Sequence, residues 1–118
     1  MDQVIKQRWV EALRSGEYEQ TVGTLHNDEG FCCLGVLCDL AYKEGAVTRT
    51  RIDDKCYGYG TRLEVGVLPP EVVSWAGMED DNPGVAEYGE DNLFSLSELN
   101  DEEGYTFEEI ADIIEEQL

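Results

Sequence analysis

Positive charge is nearly missing from the second half of this sequence. Between residues 61 and 118 there is one base, Arg62, against 17 acids; residues 1–60 hold ten acids and seven bases. The formal net charge is −19. Such a field repels DNA, RNA and anionic lipid across a Debye length of about 8 Å, so direct nucleic-acid binding is not expected. A long apolar run is also lacking. Nothing approaches the roughly 18 apolar residues that a membrane-crossing helix needs. Met1-Asp2-Gln3 offers no basic stretch ahead of an apolar one, so no leader peptide is expected and the predicted location is cytoplasmic. Histidine occurs once, at His26, and proline three times.

What remains is globular in composition, with 42% hydrophobic and 30% charged residues. A chain of 118 residues buries roughly two-thirds of its unfolded surface, enough for one core and one domain. The four cysteines are Cys32, Cys33, Cys38 and Cys56. Three stand in the apolar block FCCLGVLCDLA, where a thiol packs as a small hydrophobe, so reduced thiols are expected.

Hydrophobic spacing outlines the elements. Ile5, Trp9, Ala12 and Leu13 predict an amphipathic helix over residues 2–15, stopped at Ser15-Gly16. Residues 18–32 read as a hairpin: Thr21 to Leu25 form one arm, Asn27 to Gly30 the turn, and Phe31-Cys32 the return. Cys33 to Glu44 is apolar nearly all round, the pattern of a buried helix, and Gly45 ends it. Residues 46–68 suggest one or two short strands. Pro69-Pro70 opens a short helix through about Ala76. Residues 79–92 read as an acidic loop and Leu93 to Leu99 as a helical turn. Thr106 and Glu109 form a capping box for a last helix that buries Phe107, Ile110, Ala111, Ile114 and Leu118. The expected fold is a single compact α+β domain over residues 1–118: an N-terminal helix, short antiparallel strands, a buried central helix and a C-terminal amphipathic helix.

Four stretches carry a family resemblance: WVEALRSGEYEQTVGTL, GFCCLGVLCDLA, LPPEVVSWAGM and LNDEEGYTFEEIADIIEEQL. Together they resemble a family of small accessory proteins encoded by tailed phages and prophages. Many such proteins counter host immunity, so the resemblance implies an accessory, counter-defence role. No functional residues are carried over with it.

Several chemistries are open to the residues themselves. Cys33 at a helix start is a candidate nucleophile, with His26 as the sole base for a cysteine-dependent hydrolase; the bland alternative is a packed core thiol. His26, Cys33, Cys38 and Cys56 carry zinc-type donor atoms without zinc-site spacing, and DDNPG and NDEEG lack the calcium-loop pattern, so no metal or other cofactor is expected. Gly30 to Gly35 can offer backbone N–H groups to an anion at a helix N-terminus, although Gly35 equally permits close packing. Arg49, Arg51 and Lys55 form the one basic cluster outside the first helix, and Tyr57 and Tyr59 can stack on a ring. The expected ligand-binding set is therefore Cys33, Gly35, Arg49, Arg51, Lys55, Tyr57, Tyr59 and Arg62. Its expected partner is a nucleotide-type small molecule or a host defence protein, bound without catalysis. The rival is a DNA mimic, whose carboxylates on Glu108, Glu109, Asp112, Glu115 and Glu116 stand in for phosphates. Trp9 and Trp75 are expected in the core, Tyr18 and Gln20 beside a cleft, and the number of apolar helices leaves room for a homo-oligomer.

Overall fold

A buried helix, α2 (Cys33–Lys43), forms the centre of the molecule, and every residue from Cys33 to Asp39 is buried. A helix apolar on all faces has nowhere to go but the interior. The structure is a computed structural model describing residues 1–86 and 93–118. Against α2 pack α1 (Gln3–Arg14), α3 (Pro70–Trp75) and α4 (Leu96–Asp101), and α5 (Phe107–Gln117) packs in turn on α1 and α4. The radius of gyration is 13.1 Å, close to the value of roughly 13 Å for one folded unit of this length.

The helix boundaries follow local chemistry. Asp2 caps α1 by accepting the Ile5 N–H. Gly45, at φ +78°, takes the left-handed turn that ends α2, a conformation that penalises any side chain. Pro70 opens α3 from an extended Pro69. Capping boxes start both α4 (Ser95 with Glu98) and α5 (Thr106 with Glu109). Among the described residues α1 and α5 make the most extensive helix pair. Both helices bury an apolar face, Trp9, Val10 and Leu13 on α1 and Ile110, Ile113 and Ile114 on α5. Arg14 closes the edge of the pair with Asp112 at 2.6 Å and Glu115 at 2.9 Å. Leu118, expected in that stripe, is only half-buried.

Three two-stranded antiparallel pairs complete the α+β fold among the described residues. They are β1 (His26–Asn27) with β2 (Gly30–Phe31), β3 (Arg49–Arg51) with β4 (Tyr57–Tyr59), and β5 (Gly84–Ala86) with β6 (Leu93–Ser95). Here the expectations need correction. Thr21 to Leu25 form no strand; the arm is reduced to a bridge at Gln20 and to β1, because the backbone there bonds across the fold. Thr21 N–H donates to the Phe31 carbonyl and Leu25 N–H to Val65. Leu93 to Ser95 are strand and only Leu96 onward is helix. Gly84 to Ala86 belong to a strand rather than a loop, and residues 87–92 of the expected loop lie outside the described residues.

Candidate functional site

Antiparallel register sets Arg49 opposite Tyr59 and Arg51 opposite Tyr57. With side chains alternating along each strand, these four share one face of the β3–β4 hairpin. A bridge from Asn27 to Cys56 brings the β1–β2 turn alongside. His26 consequently stacks on Phe31 (centroids 3.9 Å, 15°) and on Tyr57 (4.3 Å, 17°), and its Nδ1 lies 2.9 Å from the Tyr59 hydroxyl. The Arg49 guanidinium lies 4.3 Å from the Tyr42 ring and 5.1 Å from the Tyr57 ring. Arg51 lies 5.0 Å from the same Tyr57 ring.

Beneath this face is a buried acid. Asp39 accepts the Tyr18 hydroxyl at 2.5 Å, pairs with Lys43 one helical turn on at 3.2 Å, and stands 3.9 Å from Arg49. Burial, and then the Asp39 bond, raise the Tyr18 hydroxyl above its usual range. Lys43 and Arg49 against one Asp39 leave this corner with a surplus of one positive charge. Arg51 is satisfied locally: it donates to both oxygens of Asp28 (2.9 and 3.0 Å), to the Tyr57 hydroxyl and to the Asp54 carbonyl. That pairing holds the Asp28 carboxyl below its ordinary range. Burial, with nearby Arg49, lowers His26. The site is thus a neutral aromatic stack with one under-compensated guanidinium, Arg49, whose side chain is 30% exposed.

The predicted residues separate. Arg49, Arg51, Tyr57 and Tyr59 come together, but Tyr59 is buried and serves His26 from below. Lys55 sits at the hairpin tip beside Asn27 to Glu29. Arg62 lines a different hollow, with Glu64 and Leu68. Cys33 and Gly35 are interior, which corrects their assignment to a ligand. A Cβ on Gly35 would sit 1.8 Å from the Leu25 carbonyl oxygen, so this glycine serves packing. The supposed anion cradle is occupied by the protein's own groups. Phe31 N–H donates to Glu19, Cys32 N–H to Leu25, Cys33 N–H to Asn100 Oδ1 at 3.2 Å, and Gly35 N–H to Cys32 Sγ.

Cys33 is correspondingly ill-placed as a nucleophile. Its Sγ lies 3.6 Å from the Leu96 carbonyl, and burial raises the thiol well above its ordinary value. Desolvation here outweighs the helix N-terminus, whose field was expected to lower it. Cys32 is pushed up to about 11. Trp9 is buried and donates to the Cys33 carbonyl at 2.9 Å, whereas Trp75 is half-buried and donates to Glu44. Gln20 is tied down across the fold, donating to Asn100 Oδ1 and to the Tyr105 carbonyl. Among the described residues no group of three or more His, Cys, Asp or Glu side chains can hold a metal ion, and no helix is long and apolar enough to cross a membrane.

Sequence reasoning missed Tyr42, Lys43 and Asp39. The signal was there: Asp39 and Lys43 are the two charges in an otherwise apolar α2, spaced i to i+4 on one face.

Fold and site together describe a small α+β domain with a basic, aromatic face on an otherwise acidic surface. The chain belongs to the family described as "Domain of unknown function (DUF8296)", whose profile matches residues 1–118. No curated protein and no solved structure matches it.

Proposed function

We propose that this chain is a non-catalytic binding protein that takes up a small anionic, ring-bearing molecule of nucleotide type on the Arg49 face. In the phage setting that its motifs resemble, it would act as an accessory protein withdrawing such a signal from a host defence factor. The observation that carries this reading is the position of Arg49. Its guanidinium is held against Tyr42 and Tyr57, and its nearest carboxylate, on Asp39, is 3.9 Å away. A fixed, partly exposed guanidinium with donors to spare recognises a phosphate oxygen, and the exposed Tyr42 ring beside it offers a planar surface to a base.

Calorimetric titration with cyclic nucleotides and with ADP-ribose tests it. Binding is expected for the wild type, and Arg49→Ala weakens it by about 1–3 kcal/mol, the range for a charged hydrogen bond. Asp39→Asn, which removes the acid competing for Arg49, strengthens binding in a variant whose melting curve shows it folded. Equal affinity of wild type and Arg49→Ala for every ligand would overturn the assignment.

A further inference from the structure

On another part of the surface, two hollows meet at one ridge. The first, about 430 Å³, lies between α3 and the 62–68 segment and has Leu68, Pro70 and Val73 among its lining residues. The second, about 250 Å³, lies beside the end of α5, with Met78, Pro83 and Leu118 in its wall. Glu79 and Asp80 line both. The walls are fixed by main-chain bonds: Leu68 N–H donates to Asp81 at 2.9 Å and Met78 N–H to Val73 at 2.9 Å. The hollows are therefore built into the backbone, a condition that lowers the ordering cost of binding.

Charge specifies what fits them. Glu64, Glu79, Asp80 and Asp81 line the first hollow with one base, Arg62. Among the described residues none of these five forms an ion pair, whereas Asp28, Asp39, Glu44, Asp112 and Glu115 all do. We infer that the double hollow docks a basic amphipathic segment of a partner protein, with one apolar side chain seated in each hollow and Lys or Arg between them on Glu79 and Asp80. Apolar anchors on either side of a charged ridge fix the register of such a segment, and the methionine wall adapts to its shape. Nucleic acid and acidic lipid are repelled here. A second copy of this chain is a poor occupant. Of the eight bases, Arg8, Arg14, Lys43 and Arg51 are closely paired and Arg49 stands beside Asp39 between Tyr42 and Tyr57, leaving Lys6, Lys55 and Arg62 without ion pairs among the described residues.

Fluorescence anisotropy of a labelled amphipathic peptide of Leu and Lys, titrated with the full chain, tests this. Binding is expected, and a peptide with Glu in place of Lys does not bind. Glu79→Gln with Asp80→Asn weakens binding about tenfold or more, since two charged contacts are lost. Ser74→Trp, on an exposed wall of the first hollow, blocks binding while the melting temperature holds. Glu108→Gln with Glu116→Gln on α5 changes net charge equally and leaves binding intact. A loss equal to that of the ridge variant in this control overturns the proposal, because the peptide would then be sensing only the overall field. Wild-type affinity in Ser74→Trp, no peptide binding at about 1 mM, or a dimer in sedimentation that Ser74→Trp dissolves would each overturn it too.

Discussion

Gly35 and Leu25 meet backbone to backbone: a Cβ on Gly35 would lie 1.8 Å from the Leu25 carbonyl oxygen and 2.7 Å from its carbon. That same oxygen accepts the Cys32 N–H at 3.1 Å, so it cannot withdraw without breaking the entry to α2. The central helix is seated on the chain that leads into the β1–β2 turn, and only the absence of a side chain allows it.

Gly35→Ala is therefore expected to destabilise the fold by about 3 kcal/mol or more, at the upper end for single substitutions, because a rigid backbone has to move. Urea unfolding measures it. A loss under about 1 kcal/mol would show that α2 can shift without cost.

The thiols divide three to one. Cys32, Cys33 and Cys38 are buried and Cys56 is partly exposed. An aromatic disulfide reagent at pH 8 should label Cys56 alone in the native protein and all four cysteines in denaturant. Rapid native labelling of a second thiol would contradict the burial of the α2 cysteines. Stability should also fall in alkali. Burial raises these thiols, Cys32 to about 11, so the folded chain keeps protons that the unfolded chain releases from about pH 9 upward. Tyr18 and Tyr59 are raised too, and they add the same sign from about pH 10. The urea midpoint is expected to drop between pH 8 and pH 10.

His26 gives the opposite slope. Its folded pKa is lowered by burial and by Arg49, so below about pH 6.5 the unfolded chain takes up a proton that the folded chain resists. The stability that a neutral His26 contributes is present above that pH and is lost as pH falls through it. Urea midpoints measured from pH 7 to pH 5 should decline in the wild type and decline less in His26→Gln. Asp28, lowered by Arg51, contributes the same sign only further into acid, which keeps the two effects apart. Parallel declines in both proteins would remove His26 as the cause.

Helices α1, α2, α3 and α5 were legible because each announces itself within a dozen residues. Trp9 and Leu13 repeat at helical spacing, Pro70 starts a turn, and Thr106 pairs with Glu109. The stretch Thr21 to Leu25 misled because β-branched residues suggest a strand, while the partners that decide the matter, Phe31 and Val65, are up to 40 residues away. Tyr42 and Lys43 were passed over for a related reason. They lie at the end of a segment read as apolar nearly all round, and nothing local places them beside Arg49 and Tyr18. Cys33, open in the sequence between a nucleophile and a packed core thiol, is the latter, because a helix N-terminus lowers a thiol only where water or a donor can reach it, and here it is buried against Leu96.

By itself the sequence determined the class of fold, the buried, apolar setting of Cys32, Cys33 and Cys38, and the uneven distribution of charge. Those follow from composition and from periodicities of two and 3.6 residues, which are properties of neighbouring positions along the chain. The tertiary structure alone decided that Gly35 packs rather than binds, that Asp39 holds Tyr18, Lys43 and Arg49 together, and that Arg62 faces a separate acidic hollow. Each depends on a contact between segments remote in sequence, where desolvation and geometry, not spacing, set whether a charge is paired, buried or left free to meet a ligand.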